Sequence, residues 1–364
     1  MVTKVRTRKA TMTNKERIEA LLRREKPDRV PHWPFIQRNF AVLYAGGTTM
    51  DKFNKSRQWV YDAEKKTCHD LDWVFAPALS VLDRRNTNPF GGERKLPTSK
   101  YSQDSYVTKF PAETPEEVMA MKVPDIKACI TPAMKKFSRM VYEDRDDNEA
   151  FVTAGSLGVM NTAAGIAGYD NLCKWMIKYP EVAHRLCRLA ADYQIASAQY
   201  IKDTFGTERI MITGANAGGS NQLIGPKHFE LFALPYLKEV HQKVIAMGFK
   251  HLCQHPCGDH NLNLPYWKQV PMGDPGIVYV ANEIDLDKAA KYFPHDSIRG
   301  NLETTIVQCG TPDEIYEAAG KVIEQGKSLP GGFIFAQACG IPPRATVENV
   351  NALTQALNDF GWYD

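Results

Sequence analysis

The feature that most constrains this chain is a rhythm: a short apolar run, a turn, then residues with apolar positions at helical spacing, repeated about eight times. The apolar runs are Val30–Phe35, Leu71–Pro77, Phe151–Gly155, Arg209–Gly214, Phe249–Cys257, Ile277–Glu283, Ser297–Leu302 and Gly332–Ala338. Helices are expected at Asn14–Arg24, Tyr169–Thr204 (broken near Pro180), Pro226–Met247, Pro312–Gln325 and Thr346–Phe360. Thr346 is a good N-cap, placed just after the stop signal Pro342-Pro343. Strand–helix alternation implies a parallel α/β sheet, and eight units imply closure into a single (β/α)8 TIM barrel rather than an open doubly wound sheet. Asn14–Arg24 then stands as an N-terminal helical extension. One stretch breaks the pattern: residues 82–111 are rich in Gly, Pro, Asn, Ser and Lys, with alternation at Tyr106–Phe110. It reads as a hairpin excursion, a lid or an edge of the pocket. Residues 1–11, which carry Lys4, Arg6, Arg8 and Lys9 and no acid, read as a flexible leader, and 12–364 as one barrel domain.

Charge narrows the class of partner. The formal net charge is +3 and the basic residues are scattered, which argues against nucleic acid and against a membrane surface. The leader lacks the apolar core of a signal peptide, and no uncharged apolar run approaches the ~20 residues that span a bilayer. The expectation is a soluble, cytoplasmic protein. Most of its eight cysteines should therefore be reduced and simply buried, a reading that Cys173 and Cys187 fit on helix-like stretches.

In such barrels chemistry gathers where strands end. That directs attention to Pro77, Ser156, Asn216, His255, Cys257, Asn282, Glu283, Asn301 and Cys339. The sharpest local pattern is Gln254-His255-Pro256-Cys257-Gly258. Residues two apart on extended backbone face the same way, so one imidazole and one thiolate can share a metal. Pro256 ends the strand and Gly258 permits a sharp exit. Cys339, between the apolar run Phe333–Ala336 and Gly340, sits at a second strand end and offers a third ligand. His, Cys and Cys suit Zn2+, and an open fourth position suits catalysis. Just beyond, Asp259 and His260 are either supports of the metal ligands or, more simply, caps of the next helix. His251 and Cys253 face the same way but lie deeper, as core. No dinucleotide fingerprint or phosphate loop is present.

Several segments resemble the uroporphyrinogen decarboxylase superfamily. They are Met12–Arg17 followed by Lys26–Pro31, Ile224–Phe229 leading into Leu234-Pro235-Tyr236, and Gly300-Asn301-Leu302 followed by Gly310–Ile315. The resemblance runs from Met12 to Phe360 and implies the barrel independently. In the superfamily's corrinoid-linked methyltransferase branch, His-x-Cys with a distant Cys is the zinc motif, which maps here onto His255, Cys257 and Cys339. An acidic zinc ligand in some members makes Glu283 a candidate fourth ligand, against the plainer reading of a solvated carboxylate. Asn216 and Gly218, in the loop Gly214–Gly219, are candidates for contacting a corrinoid (cobalamin) co-substrate, against plain loop chemistry. Trp33, Phe35, Phe40 and Tyr44 fall in a region that faces the pocket mouth in this family, though core packing suits at least two of them.

The implied activity is zinc-dependent methyl transfer between a corrinoid, carried by a transiently bound corrinoid protein, and a small-molecule O-, S- or N-methyl donor or a thiol. The direction of transfer stays open. One alternative is a metal-free, uroporphyrinogen-like decarboxylase. Against it, Pro34–Phe40 holds one arginine where decarboxylases carry an arginine-rich segment for porphyrin carboxylates. The other is a non-catalytic barrel with a structural zinc.

Overall fold

The computed structural model describes residues 10–36, 38–46, 56–81, 88–96, 101, 105–146 and 149–363. Residues 1–9 of the leader, and 82–87, 97–100 and 102–104 of the excursion, lie outside the described residues. What is described of the excursion contains an antiparallel hairpin, β1 (Glu93–Lys95) with β2 (Tyr106–Lys109). Six further strands form one parallel sheet in chain order. They are β3 (Val152–Gly155), β4 (Ile210–Ala215), β5 (Leu252–His255), β6 (Ile277–Tyr279), β7 (Ser297–Leu302) and β8 (Phe333–Gln337).

The first two of the eight expected runs are not regular strands, yet they close the ring. Trp33 N donates to the Phe335 carbonyl at 3.0 Å, and Phe335 N donates to Pro31 O at 2.9 Å, joining the first run to β8. Val74 N donates to His32 O at 2.7 Å, joining the second run to the first. Thr153 N donates to Pro77 O at 2.8 Å, completing the circle at β3. Pro31, Pro34 and Pro77 lack the N–H that a ladder needs, so these runs pair through isolated bridges instead.

Period-two alternation then sorts the strand residues. Phe151, Met211, Cys253, Ile277, Tyr279, Ile334 and Ala336 point into the barrel, where Ile18 and Leu21 of the helix Asn14–Leu22 join them. Val152, Ile212, Leu252, Val278, Ile298 and Phe335 point outward to the helical layer. The opening helix begins in a full capping box between Thr13 and Glu16. Its buried Arg17 pairs with Asp28 at 2.7 Å, which anchors it. The break near Pro180 is real: Tyr169–Lys178 ends and Pro180–Phe205 begins. The expected helix at 226–247 is interrupted by a π turn at Phe229–Ala233. Pro235 has no N–H for the carbonyl one turn back, and a wider turn absorbs the defect. Among the described residues no helix is long and apolar enough to cross a membrane.

Candidate metal centre

β5 delivers His255 to the barrel interior, and Pro256 ends the strand there. The chain leaves through Gly258 at φ +86°, where a Cβ would stand 2.6 Å from Gln222 Oε1. Only glycine fits that turn. The buried His255 ring donates from Nδ1 to the Tyr279 carbonyl at 2.7 Å and stacks on the Tyr279 ring at 4.1 Å between centroids. That bond fixes the tautomer and leaves the lone pair on Nε2. Nε2 is buried and has no hydrogen-bond partner.

The Sγ atoms of Cys257 and Cys339 converge on this imidazole. One ligand atom from each of the three residues lies within 4.8 Å of the others, the one such group of His, Cys, Asp and Glu among the described residues. An orphaned, buried imidazole nitrogen beside two soft sulfurs is a donor set that fits zinc. Tyr279 braces the other side of the group as well, its hydroxyl donating to the carbonyls of Gln337 at 2.6 Å and Cys339 at 3.0 Å. One tyrosine thus orients the imidazole through its backbone and the β8 exit through its phenol. The two thiols share a proton unequally. A hydrogen bond from Cys257 holds the Cys339 thiol well below the ordinary range, opposed by burial and helped by the Gly340 N–H. The same bond, with burial and the charges of Cys339 and Glu283, pushes Cys257 up. Metal binding requires both sulfurs as thiolates, and an incoming cation favours that form.

The remaining candidates fall in other places. Glu283 is exposed, outside the cluster of three, and its carboxylate accepts from Gln222 Nε2 at 3.3 Å. The fully buried Asn216 spends its amide on backbone, accepting from Met160 N at 3.0 Å and donating to Leu157 O at 3.0 Å. It ties the loop after β4 to the start of the helix Val159–Ala167 and presents no amide group to a ligand. Gly218 is buried too. A Cβ there would meet Tyr169 Cε1 at 3.0 Å and Met160 O at 3.2 Å, so internal packing explains the glycine. Asp259 caps its own turn by accepting from Asn261 N at 2.8 Å. His260, by contrast, caps nothing. It lies fully buried, with Nδ1 accepting from Trp267 Nε1 at 3.0 Å. Burial lowers its pKa to about 4, opposed by the backbone carbonyls of Asn216 and Cys257, so it is a neutral prop under the loop that carries Cys257.

A cavity of about 340 Å³ opens inside the barrel mouth, and His255 forms part of its wall. Trp33 and Phe35 line it, whereas Phe40 packs in the outer core against Tyr44 and Trp73. Two lining residues escaped the sequence reading. Tyr279 acts across strands, and nothing in its own neighbourhood announces that. Arg299 did leave a signal, as the one charged side chain of β7, at an inward position. A second cavity of about 310 Å³ adjoins across Gly155, Thr213, Gly214 and Ala215, and Arg94 of the hairpin contributes to its wall.

Comparison with known proteins agrees with this architecture. The chain is 27% identical over 202 residues to a methylated-thiol–coenzyme M methyltransferase of Methanosarcina mazei, covering 54% of this chain and 50% of the relative. It is 28% identical over 185 residues to a methylcobamide:CoM methyltransferase of Methanosarcina acetivorans, 50% of each chain. A uroporphyrinogen decarboxylase of Anaeromyxobacter is 25% identical over 258 residues, 69% of this chain and 70% of the relative. The chain spans about half the length of the methyltransferases it matches. A solved methyltransferase from Methanosarcina mazei shares the fold, with a TM-score of 0.77 at 20% identity over 96% of this chain and 99% of that one. The family model for uroporphyrinogen decarboxylase (URO-D) matches residues 13–360, and the chain belongs to that family.

Proposed function

We propose that this chain is a zinc-dependent methyltransferase. It moves a methyl group between a corrinoid, delivered by a separate protein that docks transiently, and a small O-, S- or N-methyl donor or a thiol. The observation that carries the reading is the convergence of the orphaned His255 Nε2 with the sulfurs of Cys257 and Cys339 beside an interior cavity. Zinc held there supplies Lewis acidity, which lowers the pKa of a bound thiol or polarises a methylated heteroatom. The chain's own residues prepare that position. The Tyr279 carbonyl fixes the imidazole and the Tyr279 hydroxyl holds the Cys339 backbone, so three protein ligands would hold the metal. Trp33, Phe35, Val74 and Phe75 give the cavity an apolar wall.

Both methyltransferases and decarboxylases occur among the relatives, so the site has to choose between them. A porphyrinogen needs several cationic partners for its carboxylates. Arg38, the one arginine of Pro34–Phe40, already faces Glu64 at 3.5 Å and donates to Ser80 Oγ at 3.2 Å. The test is a spectroscopic screen of zinc-loaded protein with methylcobalamin or Co(I) cobalamin against thiols, methyl ethers, methyl sulfides and methylamines. Methyl transfer with at least one class is the expected result, with no carbon dioxide released from uroporphyrinogen. Decarboxylation without methyl transfer would overturn the proposal.

A further inference from the structure

The opposite end of the barrel holds a cavity that the metal reading leaves unused. About 320 Å³ in volume, it opens between the chain that follows the helix Asn14–Leu22, the entries to β7 and β8, and Tyr363. It shares no lining residue with the His255 cavity, and it lies where strands begin, whereas barrel catalysis belongs to strand ends. Part of its wall is apolar: Leu21 and Leu329 are buried, and the half-buried Tyr363 adds a flat ring. The wall also carries the cations Arg24, Lys26 and Lys327, with Glu25 as the one acid among the described residues. That acid is taken, since Glu25 accepts from Arg23 Nε at 2.9 Å. Asp274 holds Arg24 at 2.6 Å. Of the acids adjacent in sequence to the lining residues, Asp28 is bound to Arg17 and Asp296 to the Gly276 N–H. Lys26 Nζ lies 5.0 Å from the centre of the Tyr363 ring, and Lys327 Nζ donates to the Phe360 carbonyl at 3.0 Å. Among the described residues neither ammonium pairs with a carboxylate.

We infer that this cavity is a second ligand site, for a phosphate monoester with a flat apolar body, of which a nucleoside monophosphate is the type. Charge and shape both lead there, independently of the methyltransferase reading. Two ammonium groups without carboxylates suit a dianion, and lysine binds phosphate as a point charge. Inorganic phosphate would fill only part of the volume, which matches the lower end of small-molecule sites. Leu21, Leu329 and Tyr363 give the remainder an apolar surface, against which a ring is removed from water. At Gly332, φ +85°, a Cβ would stand 2.6 Å from Leu21 Cδ2, so glycine lets the entry to β8 close on that leucine. Leu21 also belongs to the interior layer with Cys253, Ile277 and Ile334, so a ligand in this cavity bears on the residue that plugs the barrel.

Titration calorimetry on the full chain tests the site with four probes: adenosine monophosphate, phenyl phosphate, adenosine and inorganic phosphate. Both esters should bind at least about tenfold more tightly than adenosine or inorganic phosphate, and more weakly as salt rises. Lys26→Gln combined with Lys327→Gln should weaken the esters about 10- to 100-fold while leaving adenosine binding and zinc content unchanged. Cys339→Ala, at the other end of the barrel, should leave ester binding as it is. Inorganic phosphate binding as tightly as the esters overturns the inference, and so does adenosine binding as tightly as its monophosphate. Both comparisons use the wild type and need no variant to fold. Failure of either ester to bind at about 10 mM overturns it as well. Ester binding that survives the double substitution, or that Cys339→Ala removes, puts the phosphate elsewhere and overturns the site.

Discussion

His255→Ala and Cys257→Ala are each expected to lower methyl exchange with cobalamin by about 1000-fold or more while leaving the barrel folded. Both side chains lie past or at the end of β5, above the interior layer of Phe151, Met211, Ile277 and Ile334 that fills the barrel. Barrel stability comes from that layer and from the outer helical core, so loss of a ligand at the mouth should cost turnover and not structure. His260→Ala should be milder. It removes the acceptor of the Trp267 indole N–H and a prop beneath the Cys257 loop, with a loss of about 10- to 100-fold. Circular dichroism paired with an absorbance assay of methylcobalamin checks all three variants. Early melting and lost helix content in the His255 and Cys257 variants would make the zinc structural, and the non-catalytic alternative would gain.

Cys339→Ala should lower zinc affinity by at least about 100-fold, whereas Cys187→Ala should leave it unchanged. The contrast is one of position. Cys339 lies at the exit of β8, where its sulfur accepts from Cys257 and its carbonyl accepts from the Tyr279 hydroxyl. Cys187 is fully buried within the helix Pro180–Phe205, and burial pushes its thiol up to about 12, the behaviour of a small apolar side chain. Competition with a chromophoric chelator measures both variants. Equal zinc affinity in the two would remove Cys339 from the site.

What the sequence disclosed follows from how local each feature is. His255 and Cys257 were legible because a period of two and a strand-ending proline are local facts, and Cys339 because a second strand end carries the same punctuation. Residues 30–35 and 71–77 read as strands from apolarity alone. Their prolines, visible in the same sequence, are why they close the ring through single bridges. The loop glycines and Asn216 suggested ligand contact, but the Asn216 amide turns inward to Leu157 and Met160, a tie between segments distant in sequence. Glu283 was expected to end a strand, but β6 stops at Tyr279 and Glu283 lies in the turn beyond it, its side chain toward Gln222. Tyr279 was invisible for the complementary reason, since it acts on His255 through a carbonyl, a group every residue has. His260 looked like a cap because the residues after a strand commonly start the next helix. Only packing against Trp267 shows that it is a buried prop.

The most direct test of the central claim is a zinc-edge X-ray absorption spectrum of protein expressed with added zinc and purified without chelator, combined with elemental analysis. The account predicts about one zinc per chain, bound by two sulfurs at ~2.3 Å and one nitrogen at ~2.0–2.1 Å, with a lighter exchangeable neighbour in the fourth position. A chain that takes up no zinc, or that binds it through oxygen without sulfur, would contradict it.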